Sequence, residues 1–189
     1  MLIVRSVQPA AGALGKGQKW LLLPLLLLAG AGQRELGLPF GETRERVRAM
    51  LSAAGIECKP AGENALQCPR APEKVPGAAG LRLEFENEKL QRAELSIDPG
   101  AKTWPALRAR YVELKRELTQ KHGEPKASLE YVDRFYVLAD EEYKAIADGK
   151  GEFTSTWRVG ELGVKLSLRG EKRQVRLTLS YGPKEDVLH

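Results

Sequence analysis

Residues 81–97, LRLEFENEKLQRAELSI, decide the fold. Apolar residues alternate with charged or polar ones at residues 81–85 and again at residues 93–97, on either side of a short polar stretch at residues 86–89. A period of two places the apolar side chains on one face of a sheet and the charged ones on the other. The stretch therefore predicts an antiparallel hairpin with one buried and one solvated face.

The chain toward the C-terminus adds further strands. Three strands are predicted at its end. Phe153 and Trp157 are expected to point inward from the first of them, and alternation at residues 164–168 and 175–181 predicts the other two. Residues 129–138 predict another strand, with apolar side chains on both faces. Residues 141–147 predict a short helix capped by Asp140, and residues 183–189 a flexible tail.

Two longer helices are predicted at residues 43–54 and 103–122, because apolar residues recur in both at helical spacing. Thr43 is suited to cap the first helix. Gly123 and Pro125 are suited to end the second, since glycine accepts a left-handed conformation and proline cannot continue a helix.

A helix followed by strands thus occurs twice, in units of about residues 41–98 and 103–181. This order predicts an α+β fold of two helix-plus-antiparallel-strand units in tandem. Both helices can bury their apolar stripes on one face of a curved antiparallel sheet.

The N-terminal residues predict export. Arg5, Lys16 and Lys19 precede an apolar run at residues 20–28, and the small residues Ala29-Gly30-Ala31 follow it. This order is typical of a secretory signal peptide over residues 1–31, which leaves residues 32–182 as one exported domain. The run is too short for a membrane-spanning helix, which needs about 20 apolar residues. We therefore expect a periplasmic or secreted protein with no membrane span in its mature part.

The charge balance argues against a nucleic-acid partner. Three of the 30 basic residues and none of the 25 acidic residues lie in residues 1–31, so the net charge falls from +5 to +2 in the predicted mature chain. The remaining cations are interspersed with acids, as on an ordinary solvated surface. A nucleic-acid footprint would instead gather basic residues on one face.

Cys58 and Cys68 are the only cysteines. In an oxidising compartment such a pair predicts a disulfide. The turn-forming residues 60–64 lie between them, so a hairpin would set the two sulfur atoms opposite each other. A redox-active or metal-binding pair is the alternative, but nine residues separate the thiols and no histidine is near.

The residues quoted so far resemble a known family. Gly41-Glu42-Thr43 with Val47 opens the first helix, residues 118–125 close the second, and the Trp157 strand and the pair ending at Tyr181 complete the pattern. In tandem, such units resemble the β-lactamase-inhibitor-protein-like fold; one such unit occurs in the SmpA/OmlA outer-membrane assembly lipoproteins. The resemblance implies a protein-binding scaffold that uses an open sheet face. The lipid-attachment cysteine of SmpA/OmlA has no counterpart here.

Groups suited to catalysis are few. The two histidines are His189, the last residue, and His122, in the last turn of a helix, where an imidazolium gains from the helix dipole. Asp140-Glu141-Glu142 could help to bind calcium, but acids at a helix start are the usual capping arrangement. We expect no metal and no cofactor. The alternative is a small envelope hydrolase that acts on glycan or peptide through carboxylates.

The polar face of the predicted sheet is the candidate binding site. Tyr131 and Tyr136 border it, and its side chains are those of Arg82, Glu84, Glu94, Lys165, Ser167, Arg169, Arg176 and Thr178. A broad face of mixed charge with aromatic anchors suits a protein partner. The sequence thus predicts a non-catalytic binding or protein-interaction module whose partner is another envelope protein.

Overall fold

The computed structural model describes residues 34–100, 103–138 and 141–187. The signal peptide predicted at residues 1–31 and His189 lie outside them. All the described residues belong to one compact unit. In these ranges, no helix combines the length and the apolar character needed to cross a membrane.

Helices and strands alternate in groups along the described chain. Its helices are α1 (Arg44–Ala53), α2 (Trp104–His122), α3 (Arg134–Leu138), α4 (Glu142–Ala147) and α5 (Lys184–Val187). Its strands are β1 (Arg34–Glu35), β2 (Leu38–Pro39), β3 (Lys59–Pro60), β4 (Ala65–Cys68), β5 (Ala78–Glu86), β6 (Lys89–Ile97), β7 (Ala127–Val132), β8 (Gly151–Val159), β9 (Leu162–Glu171) and β10 (Gln174–Pro183). The predicted α+β class is confirmed.

Within the described residues, eight strands form one sheet, called the large sheet below, in the order β3-β4-β5-β6-β10-β9-β8-β7. Every neighbouring pair in it is antiparallel. Strands β1 and β2 form a separate short hairpin. The predicted hairpin at residues 81–97 is β5–β6, and Asn87 and Glu88 make its turn with positive φ angles of 49° and 61°.

The core follows the predicted alternation. The leucines of β5, β6, β9 and β10 are buried, and so is Trp157 of β8, whereas Val175 near the start of β10 is half-buried. The indole N–H of Trp157 donates to the carbonyl of Gly123, 3.0 Å away. The Tyr111 ring of α2 contacts Phe153 edge to face, with 5.6 Å between ring centroids. These contacts join α2 to the sheet side that carries the core.

The helix ends agree with their predicted signals. The hydroxyl of Thr43 accepts a hydrogen bond from the Arg46 N–H at 3.4 Å, so Thr43 caps α1. Gly123 ends α2 with φ 83°, a conformation that favours glycine. Helix α4 is preceded by Glu141, while its predicted cap, Asp140, lies outside the described residues.

Helix α4 lies close to the backbone of β9 at Gly170. A Cβ atom on Gly170 would overlap the carbonyl oxygen of Ile146 and would lie 2.6 Å from that of Ala147. The C-terminal turn of α4 can approach the strand only because residue 170 has no side chain.

The predicted disulfide is confirmed. Cys58 and Cys68 are bonded, and free cysteines are absent from the described chain. Lys59 pairs with Gln67 in the β3–β4 register, so the two cysteines face each other at the end of that short hairpin.

Two segments differ from their predictions. Residues 129–138 are not one strand, because β7 ends at Val132 and α3 follows. The Asp133 carboxylate accepts a hydrogen bond from the Phe135 N–H at 3.0 Å, which turns the chain into that helix. The residues after Gly182 do not leave the fold at once. Pro183 ends β10, and Lys184 in α5 pairs with Glu161 at 2.7 Å.

Candidate functional site

The sheet register brings the predicted binding residues of four strands together. The side of the sheet away from the core is called the polar face. On it, residues that are directly paired across neighbouring strands form a row: Gln67, Arg82, Glu94, Ser180, Lys165 and Thr156. The next row runs Gly80, Ser96, Thr178, Ser167, Thr154 and Leu129. The polar face is therefore a continuous surface of charged groups beside small hydroxyl groups.

Exposure separates the predicted residues into groups. Glu94, Arg169 and Arg176 are exposed, whereas Arg82, Glu84, Lys165 and Thr178 are half-buried. Ser167 is only 2% exposed, so its predicted position on a solvated surface is wrong. It lies in an inner strand with Thr178 opposite on one side and Thr154 on the other, and its buried Oγ has no hydrogen-bond partner among the described residues.

Several charges on the polar face are paired with each other. Arg82 Nε lies 2.9 Å from Glu84 Oε1, and Ser180 Oγ donates to Glu94 Oε2 at 3.4 Å. Arg176 Nε lies 3.0 Å from Glu171 Oε2. Exposed pairs of this kind contribute at most about 1 kcal/mol. They can therefore rearrange readily when a charged partner approaches.

The β9–β10 hairpin ends in a concentration of positive charge. Residues 169–176 contain four cations and one carboxylate, that of Glu171. Arg169 lies directly opposite Arg176, a like-charge placement that is unfavourable in isolation. Lys172 and Arg173 form the turn with φ angles of 51° and 63°, where Asn and Gly are the usual residues. The name "cationic tip" is used below for residues 169–176.

A depression of about 320 Å³ adjoins the cationic tip. It lies where β6 ends and β10 continues, since the β6–β10 register stops at the Ile97–Leu177 pair. Apolar and polar groups both line it, among them Ser96, Asp98, Leu107, Tyr143, Arg176 and Thr178. A depression of this size could take one large side chain of a partner.

The two predicted border tyrosines lie in different elements. Tyr131 is on β7 and 47% exposed, and the strand's alternation puts it on the same side as Leu129, at the edge of the polar face. Tyr136 belongs to α3 and not to the strand, and its side chain is half-buried. Sequence reasoning missed Phe135, which is 82% exposed. Asp133, a helix-starting residue type, was the signal that could have indicated it.

A polar network joins α2 to β7 below the polar face. Lys115 Nζ donates to Ser128 Oγ at 2.8 Å and to Glu130 Oε1 at 2.6 Å. Ser128 Oγ lies 2.9 Å from Ser155 Oγ, which lies 2.8 Å from the Tyr111 hydroxyl. Burial raises the pKa of Tyr111 to about 12, so its phenol stays protonated at neutral pH.

This network brings serine, lysine and tyrosine together, a combination that some hydrolases use. A serine nucleophile needs a neighbour that takes its proton. Here the Lys115 ammonium is bound by the Glu130 carboxylate and donates to Ser128. The arrangement thus suits a structural link between α2 and β7.

His122 lies in the last turn of α2, in agreement with the prediction. Its Nε2 is buried and has no hydrogen-bond partner in the described part of the chain. Burial lowers the pKa of His122, so desolvation opposes the imidazolium that the helix dipole would favour. Among the described residues, no group of three or more His, Cys, Asp or Glu side chains could hold a metal ion.

Comparisons of the chain with models of known protein families, with curated proteins and with solved structures find no match.

Proposed function

We propose that the protein is a non-catalytic binding module of the cell envelope, periplasmic or secreted, that docks another protein on its polar face. In this proposal α1, α2 and α4 cover one face of a curved sheet and leave the polar face to the partner. Two contacts support that arrangement, those of Tyr111 with Ser155 and of α4 with Gly170. Ser155 and Gly170 both alternate with residues of the polar face.

The cationic tip is the observation that carries the proposal. Arg169 and Arg176 are held opposite each other although like charges repel. Lys172 and Arg173 form a two-residue turn and add two more cations. Both have positive φ angles, which are unfavourable for residues other than glycine. Glu171 pairs with Arg176, but the tip keeps an excess of positive charge, which carboxylates of a partner would offset through charge-assisted hydrogen bonds. We therefore propose that the docked segment is acidic.

The depression beside the tip supports a protein partner. Interfaces concentrate binding energy in a few anchor side chains that fill pockets, and surrounding charges set orientation and encounter rate. A 320 Å³ depression next to Arg176 offers an anchor and an orienting charge within one small area. The resemblance to the β-lactamase-inhibitor-protein-like fold implies the same use of a sheet face and remains part of the proposal.

The disulfide supports the proposed compartment. Disulfides such as Cys58–Cys68 persist in oxidising compartments and are rare in the cytosol. The alternative of a carboxylate hydrolase receives less support, because Glu84, Glu130 and Glu171 are each bound by a cation of the same chain.

The test is capture of partners from the native envelope with the tagged protein and its R169Q/R176Q variant. Hot-spot charges typically contribute more than about 1 kcal/mol each, so we expect at least about tenfold lower recovery of a specific partner. R108Q/R116Q, which neutralises two exposed arginines of α2, is the matched control. Equal recovery by all three proteins would contradict the proposal.

A further inference from the structure

The two edges of the large sheet differ in how they are protected. Strand β3 has two residues, Lys59 and Pro60, and proline has no N–H to offer a further strand. Short strands, lysine and proline are the usual devices that prevent edge pairing. Strand β7 has six residues without lysine or proline, and its register with β8 continues without interruption over all six. One edge is therefore closed and the other is suited to pairing.

Strand β7 is also exposed, and it places large apolar and aromatic side chains on the polar face. In the described ranges, no strand lies beyond β7, and five of its six residues are exposed. Leu129 is 51% exposed and Tyr131 47%. Phe135 and Val137 of α3 follow at once and are exposed as well. An edge of this kind is a template for an added strand.

The other side of β7 is fixed in place. Lys115 of α2 holds both Ser128 and Glu130, and Ser128 contacts Ser155 of β8. Helix α3 packs against α4 and leaves the β7 residues exposed. A strand that is already ordered loses little further entropy on pairing.

We infer that β7 pairs antiparallel with β7 of a second copy of this chain, about a two-fold axis at Leu129. A two-fold axis perpendicular to the sheet keeps polar face beside polar face, and it then places one residue opposite itself. With Leu129 at the centre, Leu129 meets the same leucine of the other protomer, Tyr131 lies opposite Ala127, and Glu130 lies opposite Ser128. Centring on Glu130 would instead set two carboxylates opposite each other, which is unfavourable.

The charges at the strand ends favour the same partner. Glu124 and Lys126 precede β7, while Asp133 and Arg134 follow it. Antiparallel pairing brings the start of one strand to the end of the other. Each acid then has a base of the opposite protomer nearby, at both ends of the pair. The strand is thus complementary to itself in register and in charge.

The first experiment is site-directed cross-linking of the tagged full-length protein, as it is isolated from the cells that make it. Residues directly opposite each other in an antiparallel pair have Cβ atoms about 4.5–5.5 Å apart, so L129C should form a disulfide-linked dimer under mild oxidation. V112C is the matched control, because Val112 is 53% exposed on α2. Equal cross-linking of both variants, or stronger linking of Y131C, would overturn the inferred pairing.

Sedimentation measures the association without a new thiol. We expect wild-type dimer at high concentration and at least about tenfold weaker dimerisation of L129K, because two lysines would face each other at the axis. V112K should dimerise as the wild type does. A wild-type protein that stays monomeric up to about 1 mM would refute the inference. R169Q/R176Q should leave dimerisation unchanged, so this result and partner capture are independent.

Discussion

At the scale of single residues, Gly170 determines how closely α4 can lie on β9. A methyl group there would overlap backbone carbonyl oxygens of Ile146 and Ala147, which cannot rotate away. We expect G170A to lower the free energy of unfolding by about 1–3 kcal/mol, the range of overpacked cores. Chemical denaturation measures this change.

The control is G80A, also within a strand. A Cβ on Gly80 would lie 3.2 Å from Nε2 of the flexible Gln67 side chain and 3.8 Å, an ordinary contact distance, from the Cys68 carbonyl oxygen. Its effect should stay within about 0.5 kcal/mol. If G170A were as stable as G80A, α4 could not be packed on β9 as described.

Single residues also show where sequence reasoning stops. Alternation assigned Ser167 to the polar face correctly, yet it could not show that Ser167 is buried. Ser167 belongs to an inner strand of the large sheet, and strand order is not encoded in a local pattern. Arg169 and Arg176 could each be predicted as polar-face residues, but their direct opposition appears only with the register.

At the scale of elements, the β3–β4 hairpin depends on its cross-link. Cys58 and Cys68 are 10 residues apart, and a closed loop of that length restricts the unfolded chain by about 2–3 kcal/mol. We expect C58A/C68A to lose about that much stability in chemical denaturation. Adding a reductant should destabilise the wild type comparably and leave the variant unchanged. A reductant effect on the variant would show that another process is being measured.

The elements that could be predicted are those with strong local signals. Helix α2 has a regular apolar stripe and a Gly-x-Pro stop, and β5–β6 has clear alternation around a polar turn. The segment from β7 to α3 has apolar residues on both faces, so period alone could not divide it. The division depends on the side-chain hydrogen bond of Asp133 to Phe135, a capping interaction of a five-residue helix.

At the scale of the whole molecule, buried tyrosines make stability depend on alkaline pH. Burial raises the pKa of Tyr111 from 10.0 to about 12, and burial also raises the pKa of Tyr181. Above pH 10 the folded state therefore retains protons that the unfolded state loses. The free energy of unfolding should fall between pH 10 and 12, by up to about 1.4 kcal/mol per pH unit for each tyrosine.

Denaturation at a series of pH values tests this expectation with Y111F. The variant should lose stability more gradually than the wild type between pH 10 and 12, because one of the two tyrosines no longer titrates. Y131F replaces a half-exposed tyrosine outside the core and should keep the wild-type profile. Identical profiles for all three proteins would mean that Tyr111 does not contribute to the alkaline loss.

The closed edge at Pro60 has a consequence for assembly size. When two chains pair through β7, both open edges are occupied. A β3 strand then lies at each outer edge of the joined sheet, where no further strand can be added. The same chemistry that permits a pair thus forbids a fibre. A pair of chains capped in this way at both outer edges would remain soluble instead of adding further strands.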